Sequence, residues 1–185
     1  MCKFLDKVQP KNKKQLKQLI DYTFKHKQYD LNFIDTSKIT DMSELFININ
    51  HNFDVTKWDV SNVTNMLAMF YCCYDFNCDL SNWDVSNVKD MSCMFSGCKN
   101  FNCDLSKWDV SNVTGMFFMF GHCKQFNCDL SHWNVSKVKD MSGMFYRCKS
   151  YEGKGLESWY VLTYTNTKDM LNQCDKITIP SWYKN

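Results

Sequence analysis

Residues Phe76–Asn100 read FNCDLSNWDVSNVKDMSCMFSGCKN; they are followed at once by FNCDLSKWDVSNVTGMFFMFGHCKQ over 101–125, and by a third near-copy from Phe126. A period of this size decides how everything else in the chain is read, because a repeated unit buries its apolar face against its own neighbours. Tryptophans mark the period. Trp58, Trp83, Trp108 and Trp133 are 25 residues apart, and Trp159 follows after 26. A weaker copy comes first, since IDTSKITDMSELF (Ile34–Phe46) matches WDVSNVTNMLAMF (Trp58–Phe70).

Within one copy the apolar period changes. Phe76, Cys78 and Leu80 alternate with Asn77, Asp79 and Ser81, the period of a short strand with one buried face. Met91, Met94, Phe95 and Cys98 then fall at i, i+3, i+4 and i+7, the stripe of a short amphipathic helix. Before the first Met stand Asp41, Asn65, Asp90, Gly115, Asp140 and Asp169 in successive copies, all types that cap a helix N-terminus. Glu44, three residues after Asp41, resembles a capping box. Gly97 and Gly121 lie near the expected helix ends.

The expected fold is therefore an α/β solenoid, a leucine-rich-repeat-like stack of 25-residue strand–short-helix coils with an N-terminal capping helix. Three regions follow: a basic segment and capping helix over 1–33, the repeats over 34–150, and an atypical final coil with a C-terminal cap over 151–185. The cap helix is read from NKKQLKQLIDYTF, which places Leu16, Leu19, Ile20 and Phe24 on one face. KITIPSWYKN at the far end reads as a last strand.

The unit FNxDLSxWDVSNVTxMxxMFxxC resembles the 25-residue repeats of BspA-like leucine-rich-repeat proteins, the mycoplasma-type repeats. The entry segment, KKQLKQLID leading into IDTSKITDMSELF, is similar to that of algal and large-DNA-virus members. The resemblance implies an α/β solenoid, roles in adhesion or protein binding, and no catalytic residues. The sequence departs from the family at Cys98, where a small residue is common, and at Cys78, where a polar residue or Gly is common.

The 185 residues carry 11 cysteines and a formal net charge of +2. The N-terminus MCKFLDKVQPKNKKQ lacks the apolar core of an export signal, so a reducing setting with free thiols is expected, intracellular or virion-associated. No run approaches the ~18 apolar residues of a membrane span. Residues 1–27 hold eight lysines against Asp6 and Asp21, a net of +6 that leaves −4 for the remainder. Such a run reads first as a solvated helix face, so nucleic acid is not an expected partner.

Two cysteine ladders recur, Cys73/Cys98/Cys123/Cys148 and Cys78/Cys103/Cys128. Their spacing of five within a copy does not match zinc motifs, and buried structural thiols are the expected role. The Asp ladders Asp79/Asp104/Asp129 and Asp59/Asp84/Asp109 could suggest calcium, but lack the glycine-rich turn such sites use; bonds from these bends to the backbone between coils are expected instead. His26, His51, His122 and His132 occupy unrelated repeat positions, and no phosphate loop or nucleophile motif appears, so no enzyme and no cofactor is expected.

Positions that vary from copy to copy are the candidates for contact with a partner. They include 67–68 (LA), 92–93 (SC), 117–118 (FF) and 142–143 (SG), off the Met/Phe stripe. Leu67, Tyr71, Phe117 and Phe118 are the expected protein-binding patch. A non-enzymatic scaffold for protein–protein interaction is the leading reading. The alternative is a structural component of a larger assembly, a virion or a homo-oligomer.

Overall fold

The computed structural model describes residues 7–184. The strand–helix coil expected from the sequence does not form. Among the described residues there is one α-helix, α1 (Lys13–Lys25), and one 3₁₀ turn, Leu156–Ser158. Parallel pairing is confined to isolated bridges, which run in series through Asp41, Asn65, Asp90, Gly115, Asp140 and Asn166. The α/β solenoid is thus corrected to a chain of turns, one set per repeat, joined from repeat to repeat by backbone hydrogen bonds.

The segment read as a helix is a pair of four-residue turns. In Met91–Met94 and Phe95–Cys98 the third residues, Cys93 and Gly97, have φ of 56° and 83°. A positive φ at the third position is the mark of a type II turn and breaks an α-helix. Met94 and Cys98 close the turns by donating to Met91 and Phe95 at 3.1 and 2.8 Å. Alternate N–H groups leave the repeat: those of Met91, Cys93, Phe95 and Gly97 donate to Gly115, Phe117, Met119 and Gly121 at 2.7–2.9 Å. Two consecutive turns point positions i, i+3, i+4 and i+7 inward, as a helix would. That shared stripe is why the two are indistinguishable by apolar spacing.

The Asx residues expected to cap helices serve these turns instead. Asp90 Oδ1 accepts from Ser92 N at 2.9 Å, and Asp41 and Asp140 repeat the arrangement. In the last copy this place belongs to Asn166, which bridges to Asp140 and accepts from Lys168 N, and not to Asp169. Asp169 is instead a left-handed turn residue with φ 55°. Thr167 therefore replaces the first Met, and Met170 the second.

The expected strand keeps its alternation but has no ladder. Phe76, Cys78 and Leu80 are buried, and Asn77 and Asp79 are exposed. Side chains take over the links that a strand would make through its backbone. Asn77 N–H donates to Asn52 Oδ1 of the copy before, and Leu80 N–H to Cys103 Sγ of the copy after. The same exchange repeats at Asn102 and Leu105. The segment from Lys176 likewise forms no strand; its Trp182 adds a sixth indole to the column, donating to Leu156 O at 2.7 Å.

One continuous core results. Phe46, Phe70, Phe95, Phe120 and Phe145 stack in a row at 5.5–5.7 Å with rings within 11° of parallel. Beside it each Trp Nε1 reaches back to a carbonyl of the preceding copy, as in Trp108 to Leu80 O at 3.0 Å. At the N-terminal end α1 buries Leu16 and Ile20, with Asn12 accepting from Gln15 N at 3.0 Å as its N-cap. Leu19 and Phe24 pack partly buried against the same core.

Candidate interaction surface

The second and third residues of each turn lie off the inward stripe, so this face of the double-turn column carries two such pairs per repeat, in which Ser96, Gly97, Gly121 and Gly143 are nonetheless buried. The first pairs are Leu67–Ala68, Ser92–Cys93, Phe117–Phe118 and Ser142–Gly143. The second are Tyr71–Cys72, Ser96–Gly97, Gly121–His122 and Tyr146–Arg147. The residues proposed from sequence all fall on this face. Phe117 is 42% and Tyr71 38% exposed, whereas Leu67 and Phe118 are half-buried.

Phe118 is held in place by two glycines. A Cβ added at Gly143 would meet its ring at 2.0 Å, and one at Gly121 at 2.6 Å. Its ring therefore lies across space that only glycine leaves open. Phe117 sits against it with centroids 4.9 Å apart, and Tyr146 follows at 5.5 Å. His122 meets Tyr146 edge-on at 5.4 Å, and the Arg147 guanidinium lies 5.1 Å from the same ring. Gln173 bonds both Arg147 Nε, at 2.7 Å, and the Tyr146 hydroxyl, at 3.0 Å. Partial burial, with Arg147 and Lys124 nearby, lowers the pKa of His122. The cluster is thus aromatic, with one fixed cation at its edge.

Leu67 and Tyr71 belong to a separate group two copies away. Between them and Phe117 lies the small-residue copy Ser92, Cys93, Ser96 and Gly97, a gap of about two rungs, ~10 Å. Tyr71 and Tyr74 flank Cys72, which pushes both phenols up, and Lys99 Nζ lies 4.0 Å over the Tyr74 ring. His122, Tyr146 and Arg147 are not part of the patch expected from the sequence. The signal was present: the second outer pair, YC, SG, GH and YR, varies as freely as the first.

The cysteine ladders are structural links. Cys73, Cys98, Cys123, Cys148 and Cys174 each donate Sγ–H to a Phe carbonyl of the copy before, at 2.6–3.0 Å. The ten described cysteines are free thiols. Burial pushes Cys78 and Cys128 up to about 11, and Cys73 and Cys103 to about 12. In the unfolded chain such thiols ionise near 9.0. Their contribution to stability is therefore complete below pH ~9 and is lost as pH rises through 11–12. A thermal melt series should show Tm independent of thiol ionisation up to about pH 8.5 and falling steeply above it. Iodoacetamide at pH 8 should modify the half-exposed Cys72 and Cys93 well ahead of the fully buried Cys98, Cys123 and Cys148.

The Asp bends accept backbone N–H groups of their own turn and not of a neighbouring copy, as Asp79 does from Ser81 N at 3.0 Å and Asp84 from Ser86 N at 3.1 Å; between copies Asp79 and Asp104 accept only side-chain bonds, from Cys103 and Cys128 Sγ at 3.6 Å. The backbone and side-chain bonds from Ser81 hold the Asp79 carboxyl below its usual range. Links between copies come from asparagines, as in Asn87 Nδ2 to Ser61 O at 2.7 Å. Among the described residues no three His, Cys, Asp or Glu side chains converge on a metal site, and no helix is long and apolar enough to cross a membrane.

Neither the curated proteins nor the solved structures gave a match to this chain. A family model described as "Mycoplasma protein of unknown function, DUF285" matches residues 14–120 and 79–182, which together span most of the length and all of the turn-built copies. The chain belongs to that family.

Proposed function

We propose that the protein is a non-enzymatic scaffold that binds another protein through the Phe117/Phe118/Tyr146 face. The observation that carries this reading is a partly exposed aromatic cluster on an otherwise regular column of turns. Aromatic residues and Arg dominate the energetic centres of protein interfaces, and here they are fixed in place by two glycines and by Gln173. Preorganisation of this kind lowers the entropy that binding must overcome. Buried, hydrogen-bonded free thiols agree with a reducing setting, intracellular or virion-associated.

Phe117 and Phe118 separate binding from stability. Phe117→Ser removes an exposed ring and should leave Tm within about a degree, since surface changes cost within ~0.5 kcal/mol. Phe118→Ser opens the space over Gly121 and Gly143 and should cost about 1–2 kcal/mol. The test is capture of a partner by the intact chain, followed by titration of that purified partner with the chain and with Phe117→Ser. The expected result is a loss of roughly 30-fold in affinity, about 2 kcal/mol, at unchanged Tm. Equal affinity for the variant would place the contact elsewhere. Light scattering in reductant checks the assembly alternative, which requires ordered particles from the chain alone.

A further inference from the structure

The backbone hydrogen bonds from one double turn to the next all point one way, although Thr64, Lys89, Thr114, Lys139 and Asn166 just outside the turns donate back to the copy before. Each copy sends four N–H groups to carbonyls of the copy after it, from Met42, Glu44, Phe46 and Asn48 through to Met141, Gly143, Phe145 and Arg147. The column is therefore polar, with carbonyls facing its N-terminal end and N–H groups its C-terminal end, in the manner of aligned peptide dipoles in a helix. At the carbonyl end lies α1, whose Lys13 reaches Asp41 and Ser43. At the other end the row is Thr167, Asp169, Leu171 and Gln173. The Tyr183 hydroxyl already lies against the backbone of Leu171 and Met170. The N–H groups of Thr167, Asp169 and Gln173 have no acceptor among the described residues.

Thr167 and Asp169 line a cavity of about 560 Å³ together with Ile179, Tyr183 and Lys184; Gln173 lies outside it. Ile179 is 62% exposed, and the buried Leu171 also lines the cavity. A cavity of that size accommodates a few residues of polypeptide.

We propose that this end of the column binds a polypeptide segment of the repeat's own double-turn pattern, supplied by another repeat chain, whose carbonyls continue the row. Five successive junctions inside the molecule display the complement, four carbonyls in register, and in the first four the segment has apolar residues at i, i+3, i+4 and i+7. The recognition is by main chain, as when a strand adds to an open edge, with the apolar positions meeting Leu171 and Ile179. A second copy of this chain is a poor donor, because α1 covers the carbonyl end of its first copy. The site shares only Gln173 with the aromatic face, its amide here and its side chain there, so each reading can fail without the other.

The test is amide hydrogen exchange by NMR on the intact chain, with a synthetic peptide of residues 138–149 as the probe and a scrambled peptide as control. In the free chain Thr167, Asp169 and Gln173 should exchange at least a hundredfold faster than Met141, Gly143 and Arg147. Millimolar peptide should slow the three at least tenfold and shift the Leu171 and Ile179 resonances; the scrambled peptide should not. Three outcomes would overturn the proposal: protection of these amides in the dilute free chain, no slowing with the peptide, or slowing that grows with chain concentration alone, which would mean self-association.

Discussion

Phe95→Ala is expected to lower stability by about 3–5 kcal/mol, the range for removing a fully buried aromatic ring. Phe95 stacks on Phe70 at 5.5 Å and on Phe120 at 5.7 Å, and touches Phe101 at 4.1 Å. Its main chain is equally committed, donating to Met119 O and accepting from Cys123 Sγ. Deleting the ring would therefore leave a cavity in mid-column, bounded by rings that their own stacking holds in place. Domains of this kind have about 5–15 kcal/mol in total, so the variant should unfold at much lower denaturant concentration. Urea titration by tryptophan fluorescence measures this directly. A loss below about 1 kcal/mol would mean that the phenylalanine row is not the core.

Gly155→Ala should be nearly as damaging, at about 2–4 kcal/mol, for a different reason. Gly155 has φ 87°, a conformation that costs an L-residue about 1–2 kcal/mol. A Cβ there would also stand 2.1 Å from Ser131 N and 2.5 Å from Ser131 Cα. The obstacle is backbone, so no side chain can swing aside, and the last copy must lift away from the one before. The indole bond from Trp159 to Leu130 O, at 2.9 Å, lies in the same junction and should weaken. Gly143→Ala makes the comparison: its φ is 60°, but the obstacle is the Phe118 ring, which can rotate towards solvent. Its cost should stay near the backbone term of about 1–2 kcal/mol. Differential scanning calorimetry on both variants would rank them, and a Gly143→Ala as costly as Gly155→Ala would contradict this account of the junction.

Much of the inward-facing set is legible in the letters, because any compact arrangement of these copies must bury Phe76, Leu80, Trp83, Met91, Met94 and Phe95. The local conformation is not. Apolar spacing of i, i+3, i+4 and i+7 is common to a helix and to two consecutive turns, and intrinsic propensity does not flag the left-handed positions. In the first turns these are Glu44, Ala68, Cys93, Phe118, Gly143 and Asp169, and in the second turns Asn48, Cys72, Gly97, His122, Arg147 and Gln173, only two of the twelve glycine. The register of the last copy was hidden for a similar reason: Met170 resembles the first Met of a unit, but sits where the second belongs. Phe117 stands out because FF interrupts a run of small residues. Tyr146, His122 and Arg147 share their outer position with Tyr71, but their contacts with Phe118 and with one another follow from the turn geometry and not from the letters.

The central claim is that each repeat segment joins the next through alternate N–H groups of a double turn. Scalar coupling across hydrogen bonds, read from amide nitrogen to carbonyl carbon by NMR, tests it at Phe95. The account predicts a cross-peak between Phe95 N and the Met119 carbonyl, whose N···O distance is 2.9 Å. A cross-peak from Phe95 N to the Met91 carbonyl, the i to i−4 bond of an α-helix, would contradict it.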